Sequence, residues 1–202
     1  MSSLLQFHVA SVAALIGLLA LARWIGITAG LGSLGVLIDS RGRYSLTHFQ
    51  TVVWTLVILA TLVGAFVASG LDPSVIEIPE TLLGLMGISA GSAVFATATK
   101  AGKDTMRGGR IARVGRFTES DGTDRQIVPR LAQIWLEEEG DGADKYVSIT
   151  KFQNFVFTLL AVSAYVALAA RSGGVPDLPA NIVWLIGISH AGYVGGKVPD
   201  RP

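Results

Sequence analysis

Among the side chains that could carry chemistry in this 202-residue sequence, His190 has the least usual surroundings. It lies within residues 179–196, a stretch that contains no Asp, Glu, Lys or Arg. A polar side chain deep in an apolar segment usually faces the interior of a helix bundle, where it finds a hydrogen-bond partner. We therefore expect a structural, hydrogen-bonded histidine. A place beside a proton or ion path is the alternative.

Two serines, Ser89 and Ser189, stand at matching places in two Gly-Ile-Ser sequences. Ser189 and His190 are neighbours, and neighbours on a helix diverge by about 100°, so we do not expect a nucleophile and its base. The sequence has no Walker loop and no His-Glu-x-x-His zinc motif. It has no cysteine, which excludes thiolate nucleophiles and thiolate metal sites. These observations predict a protein that is not an enzyme, with no catalytic residue, no metal site and no cofactor.

Small residues recur at helical spacing around the two serines. Gly87 and Gly91 form a Gly-x-x-x-Gly pair, and Gly187, Ala191 and Gly195 extend the pattern in the later segment. Small residues let the backbones of two membrane helices approach closely. We predict tight packing at these positions, most of all at Gly87 and Gly187, either within the chain or between copies of it. The alternative is a narrow pore lined by the small residues and the two serines.

An internal repeat relates two distant parts of the chain. Residues 45–56, SLTHFQTVVWTL, and residues 148–159, SITKFQNFVFTL, are identical at seven of twelve positions. The identities include two Phe-Gln pairs: Phe49 and Gln50, and Phe152 and Gln153. We expect a structural role for them, because a buried glutamine amide can bond the backbone of a neighbouring helix. We interpret the pattern as a duplicated two-helix unit.

Each unit consists of a Phe-Gln helix followed by a Gly-Ile-Ser helix. Two spans per unit is an even number, so both units enter the membrane from the same side. The sequence therefore predicts parallel repeats, related by a pseudo-two-fold axis along the membrane normal.

The elements that must position these residues are membrane helices. Hydrophobic residues make up 50% of the sequence and charged residues 15%, against about 25% charged in an average soluble domain. Spanning a bilayer takes about 20 apolar residues. Five charge-poor segments are about that long: residues 4–22, 46–69, 79–99, 147–170 and 179–196. The sequence predicts an all-α integral membrane protein with about five transmembrane helices, in which two parallel helical-hairpin repeats follow an N-terminal helix.

Four regions follow from this pattern. They are an N-terminal transmembrane helix at residues 1–30, the first repeat at 31–99, a charged cytoplasmic loop at 100–146, and the second repeat with a short tail at 147–202. Residues 25–38 have two alternatives. They extend the first helix, or they lie at the membrane interface, as the corresponding acidic stretch before the second repeat indicates.

The charged residues predict the topology. Residues 100–145 hold nine basic and nine acidic residues of the 31 charged residues in the chain. Fourteen Lys and Arg residues lie on the side of this loop and one, Arg171, lies on the other. Short loops rich in Lys and Arg stay cytoplasmic, so the loop and the C-terminus are expected there. The motif pattern is similar to that of small bacterial membrane proteins, so we expect the plasma membrane of a bacterium.

A run of basic residues follows the third apolar segment directly and is a candidate contact for anionic lipid or a protein partner. It comprises Lys100, Lys103, Arg107, Arg110, Arg113 and Arg116. The formal net charge of +1 gives no argument for nucleic-acid binding. The sequence predicts a non-catalytic membrane anchor or scaffold whose charged loop contacts a partner or lipid. A homo-oligomeric channel with His190 near its path is the alternative.

Overall fold

Five helices account for most of the chain. The structure, a computed structural model, describes residues 2–106 and 112–195, apart from the side chains of residues 75, 93, 96, 100, 101 and 103–106. Its helices are α1 (Ser3–Thr28), α2 (Leu46–Ala68), α3 (Glu80–Met106), α4 (Ile149–Ser172) and α5 (Ala180–Gly195). The mostly helical fold that the sequence predicts is confirmed.

In the described part of the chain, four helical segments are long and apolar enough to cross a membrane. They are Ser3–Thr28, Leu46–Ala68, Glu80–Thr99 and Ile149–Ser172. Helix α5 has 16 described residues. At about 1.5 Å per residue that length falls short of a bilayer core of about 30 Å. Four apolar helices agree with a membrane-embedded protein, and the fifth span stays a prediction.

The connection after α1 contains elements of both alternatives for residues 25–38. The helix continues to Thr28, and a short 3-10 helix follows at Gly35–Leu37. Between them the chain folds back so closely that a Cβ at Gly26 would lie 2.8 Å from the Gly35 nitrogen. Only a glycine fits such an approach. A single long helix through residue 38 is therefore excluded.

A two-stranded antiparallel sheet departs from the all-α prediction. Strand β1 (Gly115–Thr118) pairs with β2 (Asp124–Ile127) inside the segment that the sequence analysis treats as a charged loop. Gly122, in the connecting turn, has a φ of +84°, a conformation that suits glycine. Apolar residues at strand positions are too few here for the alternation of a strand to stand out, which is why the hairpin was not predicted.

Apolar side chains give this segment a small core of its own. Phe117 and Ile127 of the hairpin bury their side chains with Ala112 and Ala143. Residues 112–147 are therefore a folded unit, which we call the charged module. The end of the bundle that carries it is the module end, and the other is the far end.

Similar structures lead into α2 and α4. Each has a short 3-10 helix, an isolated β-bridge and a serine at the helix N-cap. These elements are Gly35–Leu37, Ile38 with Tyr44, and Ser45 before α2, and Leu131–Ile134, Leu136 with Val147, and Ser148 before α4. The likeness agrees with the correspondence between the segment before the first repeat and the acidic stretch before the second.

Helices α2 and α4 run side by side in the same direction. Gln50 bonds Asn154 near their starts, and Thr61 Oγ1 lies 2.8 Å from the Tyr165 hydroxyl near their ends. Both pairs are separated by 104 residues in the sequence. The separation stays constant along two helices only when they run in the same direction. These directions agree with parallel hairpins, while the duplication itself stays a prediction.

Helices α3 and α5 are parallel by the same test. Thr81 Oγ1 accepts a hydrogen bond from the Leu178 backbone nitrogen at the far end, and Ser92 contacts His190 towards the module end. The main apolar core lies between these four helices, on the far side of His190. It comprises Trp54, Ile58, Leu82, Leu85, Ala161, Tyr165, Leu178 and Ile186.

Candidate functional site

Five polar side chains from four helices meet in the module half of the bundle. They are Gln50 of α2, Ser92 of α3, Asn154 and Thr158 of α4, and His190 of α5. We call this set the polar cluster. Four of its members are nearly inaccessible to solvent, at 1–3% exposure.

The Gln50 amide is the centre of the polar cluster. Its Nε2 lies 3.0 Å from Asn154 Oδ1, 2.7 Å from Thr158 Oγ1 and 3.2 Å from His190 Nε2. A primary amide has two protons to donate. Two protons are therefore shared among three acceptors on two other helices.

The His190 ring is held at both nitrogens. Gln50 donates towards Nε2, which leaves Nδ1 as the protonated nitrogen, and Nδ1 donates to Ser92 Oγ at 2.7 Å. The Ser92 hydroxyl donates in turn to the Ser89 carbonyl at 2.9 Å. The structural, hydrogen-bonded histidine expected from the sequence is thus in place.

The contact between Ser92 and His190 does not have the arrangement of a nucleophile and its base. A general base must accept the proton of the nucleophile, whereas His190 donates to Ser92. Residues 87–91 also spell Gly-x-Ser-x-Gly, which in hydrolases lies on a strained turn between a strand and a helix. Here the pattern lies inside α3, and Ser89 is buried. It is not a nucleophile elbow.

Three buried polar atoms in or beside the polar cluster have no hydrogen-bond partner among the described residues. They are Ser89 Oγ, Ser189 Oγ and Asn154 Nδ2. The two serines of the Gly-Ile-Ser sequences are both buried, at 6% and 7% exposure. Both thus face the bundle interior, as matching positions in two parallel hairpins would.

The two Phe-Gln pairs differ in their surroundings. Phe49 packs against Phe155 with ring centroids 5.1 Å apart, and Gln50 is buried in the polar cluster. Phe152 and Gln153 are exposed on the outer surface of α4. Asn154, one residue further, occupies the place in α4 that Gln50 has in α2. Gln50 therefore contacts neighbouring helices, but through their side chains and not through their backbone as expected, whereas Gln153 lies on the exposed face.

The predicted close packing at the small residues is wrong within a single chain. Among the described residues, a Cβ at Gly87, Gly91 or Gly195 would meet nothing within 4 Å, and one at Gly187 would make an ordinary contact of 3.5 Å with Ile88. Ala191 is exposed as well. The physical reason is that α3 and α5 contact each other through their serine faces, which leaves the glycine faces outside. Packing between copies of the chain stays a prediction.

The close helix approach occurs instead at Gly64, where α1 crosses α2. A Cβ at Gly64 would collide with Ser11 Oγ and would lie 2.9 Å from the Phe7 carbonyl oxygen. Gly64 has no second glycine at a Gly-x-x-x-Gly spacing, but Ala60 and Ala68 lie four residues before and after it. Those two alanines are the signal that could have indicated this contact.

Two buried ion pairs join the charged module to the helices. Arg43 Nη2 lies 3.1 Å from Asp144 Oδ1, and Lys151 Nζ lies 2.5 Å from Glu138 Oε1. Arg43 and Lys151 are 3% and 2% exposed. The two basic residues flank the starts of α2 and α4, so the module is tied to both helices. Neither pair was predicted from the sequence.

The structure covers only part of the basic run. Arg107 and Arg110, and the side chains of Lys100 and Lys103, lie outside the described residues. Arg113 is exposed, and Arg116 forms an ion pair with Asp124 across the β-hairpin. Hydrogen bonds from Arg116 and Thr118 lower the pKa of the Asp124 carboxyl. Arg116 is therefore a hairpin residue, with its charge balanced locally.

Within residues 2–106 and 112–195, no group of three His, Asp or Glu side chains is placed to hold a metal ion. Comparisons with protein-family models, with curated proteins and with solved structures found no match. The site is therefore interpreted from its own geometry.

Proposed function

We propose that this protein is a non-catalytic membrane scaffold whose charged module docks a protein partner in the cytoplasm. The observation that carries the proposal is the pair of buried salt bridges that fix the module to the segment just before α2 and to the first turn of α4. A module joined to the bundle only by a flexible linker would not form buried salt bridges with it. A rigid one presents a single surface, and a fixed surface loses less conformational entropy when a partner binds.

The charge of the module favours a protein partner over anionic lipid. Residues 112–145 contain five basic and eight acidic residues, so this surface repels an anionic bilayer. The four basic residues of the run from 100 to 110 supply whatever attraction to lipid the segment has. An acidic surface is complementary to a basic one, and we therefore expect a partner with a basic contact region.

Photo-crosslinking in intact membranes tests the proposal. A photoreactive residue in place of Arg116, which is 77% exposed at its side chain, should yield a crosslinked product of defined mass. The double variant Asp121→Lys, Asp141→Lys should reduce that product at least about 10-fold, because it reverses charge on the docking surface.

The matched control is Asp72→Lys, Glu77→Lys, which makes the same charge change at the far end and should leave the product unchanged. Two results would contradict the proposal. One is the absence of any product, and the other is an equal loss in both double variants.

A second candidate is a homo-oligomeric channel, and the exposed small-residue faces of α3 and α5 favour it. Gly87, Gly91 and Gly195 lie on surfaces that none of the described residues covers, and such faces associate in membranes. Ion flux from liposomes that contain the purified protein tests this function. Flux equal to that of empty liposomes would reject it.

A further inference from the structure

We propose that the charged module rests on the membrane through an apolar contact surface at its junction with α4. We call this surface the apolar base. It comprises Leu131, Tyr146 and Val147 of the module and Ile149, the first residue of α4. The partner that it fits is the boundary between the headgroups and the acyl chains of a bilayer. The proposal does not depend on the protein partner proposed above.

The apolar base is exposed although its side chains are hydrophobic. Its four residues are between 47% and 72% exposed. Elsewhere in the module, Phe117 and Ile127 are buried at 5% and 1% exposure, so the module has a core that covers other apolar groups. A contiguous exposed apolar surface usually marks a site of interaction.

The surface continues into the outer face of α4. Tyr146 and Val147 come directly before Ser148, the N-cap residue of this helix. Four exposed apolar residues then form one stripe along it: Ile149, Phe152, Val156 and Leu160. At about 100° per residue these positions lie within about 80° of one another. Because α4 is long and apolar enough to cross a membrane, lipid covers this stripe, and the same lipid is the nearest cover for the apolar base.

The two charged residues of α4 place the base at the edge of the hydrocarbon. Lys151 lies in the first turn and Arg171 in the last turn of the helix. At about 1.5 Å per residue the helix rises about 30 Å between them, which is the thickness of a bilayer core. The edge at the module end therefore lies near Lys151. Tyr146 and Val147 lie just outside it, in the headgroup layer where tyrosine is enriched.

A second segment of the module reaches this level beside the helices. The Trp135 ring packs against Phe155, in the second turn of α4, with ring centroids 5.5 Å apart. Ile134 packs against Leu46, the first residue of α2. The 3-10 helix that begins at Leu131 therefore lies against the first turns of the bundle, where an exposed leucine meets the membrane interface.

Trp24, near the end of α1, lies at the same end of the bundle. Its side chain is 61% exposed. The close approach of Gly26 to Gly35 holds the end of α1 beside the segment that leads into α2. Exposed indole and phenol rings at one end of a helix bundle are typical of the aromatic belt at a membrane surface.

The apolar base contains no charged side chain and differs from the proposed docking surface. Asp121 lies in the turn of the hairpin, and Asp141 accepts a hydrogen bond from the Ser120 backbone beside it. Contact between the base and the bilayer uses neither carboxylate. We therefore expect the contact to be equally strong on zwitterionic and on anionic lipid.

Spin labels measure the depth of the base, and the absence of cysteine from the chain allows one label per variant. Leu131→Cys and Tyr146→Cys test the base, in purified full-length protein in phosphatidylcholine nanodiscs. Thr123→Cys in the hairpin turn is the reference in water, and Leu160→Cys is the reference in lipid. Oxygen concentrates in lipid, whereas a nickel chelate stays in water. Since interfacial groups lie about 5–10 Å deep, nickel accessibility at residues 131 and 146 should be at least about 3-fold lower than at residue 123, with higher oxygen accessibility.

Three results would overturn the proposal. Nickel accessibility at residues 131 and 146 equal to that at residue 123 would place the base in water. Low accessibility to both reagents would show that protein covers it. Shielding that appears only after phosphatidylglycerol is added would show that charge attraction holds the module to the membrane. The purified sample contains no protein partner, so each result is independent of the docking proposal.

Discussion

In the module half of the bundle the helices meet through amide, hydroxyl and imidazole groups, whereas in the far half they meet mainly through apolar side chains. Gln50 joins three helices by hydrogen bonds, while Trp54 and Ile58, one and two turns further along α2, pack against Tyr165 and Leu85. Lipid tails are as apolar as Leu, so apolar contact in a membrane gives packing without a strong choice of partner. Hydrogen bonds need defined atoms at defined positions.

This difference assigns separate tasks to the two halves. Hydrogen bonds between membrane helices average only about 0.6 kcal/mol, so the polar cluster is a modest source of stability. Its directional bonds set the register and rotation of α2, α4 and α5. The far half supplies close packing, and the ion pairs of the charged module close the bundle at the other end.

The largest effect is expected from a broken ion pair at the module end. Glu138→Ala leaves the Lys151 ammonium buried at 2% exposure without its carboxylate, and we expect a loss of about 3–5 kcal/mol in the free energy of unfolding. Titration with SDS in mixed micelles measures it.

The control for this change removes both charges together. Lys151→Met with Glu138→Leu should recover most of the loss, because apolar side chains replace a buried pair at little cost. A single variant that unfolds like the wild type would show that the module end is hydrated and that the ion pair does not hold it.

An intermediate effect is expected from overfilling the crossing of α1 and α2. Gly64→Leu forces a side chain against Ser11 and the Phe7 carbonyl, and we expect a loss of about 1–3 kcal/mol. Gly87→Leu, where a Cβ meets no atom of the described residues within 4 Å, should be milder. Melting curves in detergent compare the two. Equal losses of stability in the two variants would indicate that Gly87 is also closely packed, against a second copy of the chain on α3. The far half would then be only part of a larger interface.

The smallest effect compares the two repeated glutamines. Gln50→Leu removes three hydrogen-bond contacts in the polar cluster and should cost about 1–2 kcal/mol. Gln153→Leu, on the exposed face of α4, should stay within about 0.5 kcal/mol. The same SDS titration measures both. If the two variants lose equal amounts of stability, the hydrogen bonds of Gln50 in the polar cluster do not contribute to the stability of the bundle.

Much of the fold was accessible from the sequence. Long stretches without charge predict the apolar helices, because a charged side chain in hydrocarbon has a high free-energy cost and is therefore rare in membrane helices. The two similar sequences at residues 45–56 and 148–159 lie at the starts of α2 and α4, which run in the same direction, while the duplication stays a prediction. The position of His190 in a charge-free segment indicated a buried and hydrogen-bonded ring. Each of these follows from local composition or from spacing along one element.

Other features depend on which faces of the helices meet, and spacing alone does not decide that. Gln50 and Gln153 occupy equivalent places in the repeat, yet one is buried and the other exposed, because a change of one residue turns a helix face by about 100°. Gly64 and Gly87 both stand in apolar helices, and only the path of α1 makes the first a close contact. The sequence offers 18 charged residues between 100 and 145, and many pairings of them are possible. The tertiary structure selects Arg43 with Asp144 and Lys151 with Glu138, because burial of both partners together is what makes a particular pairing persist.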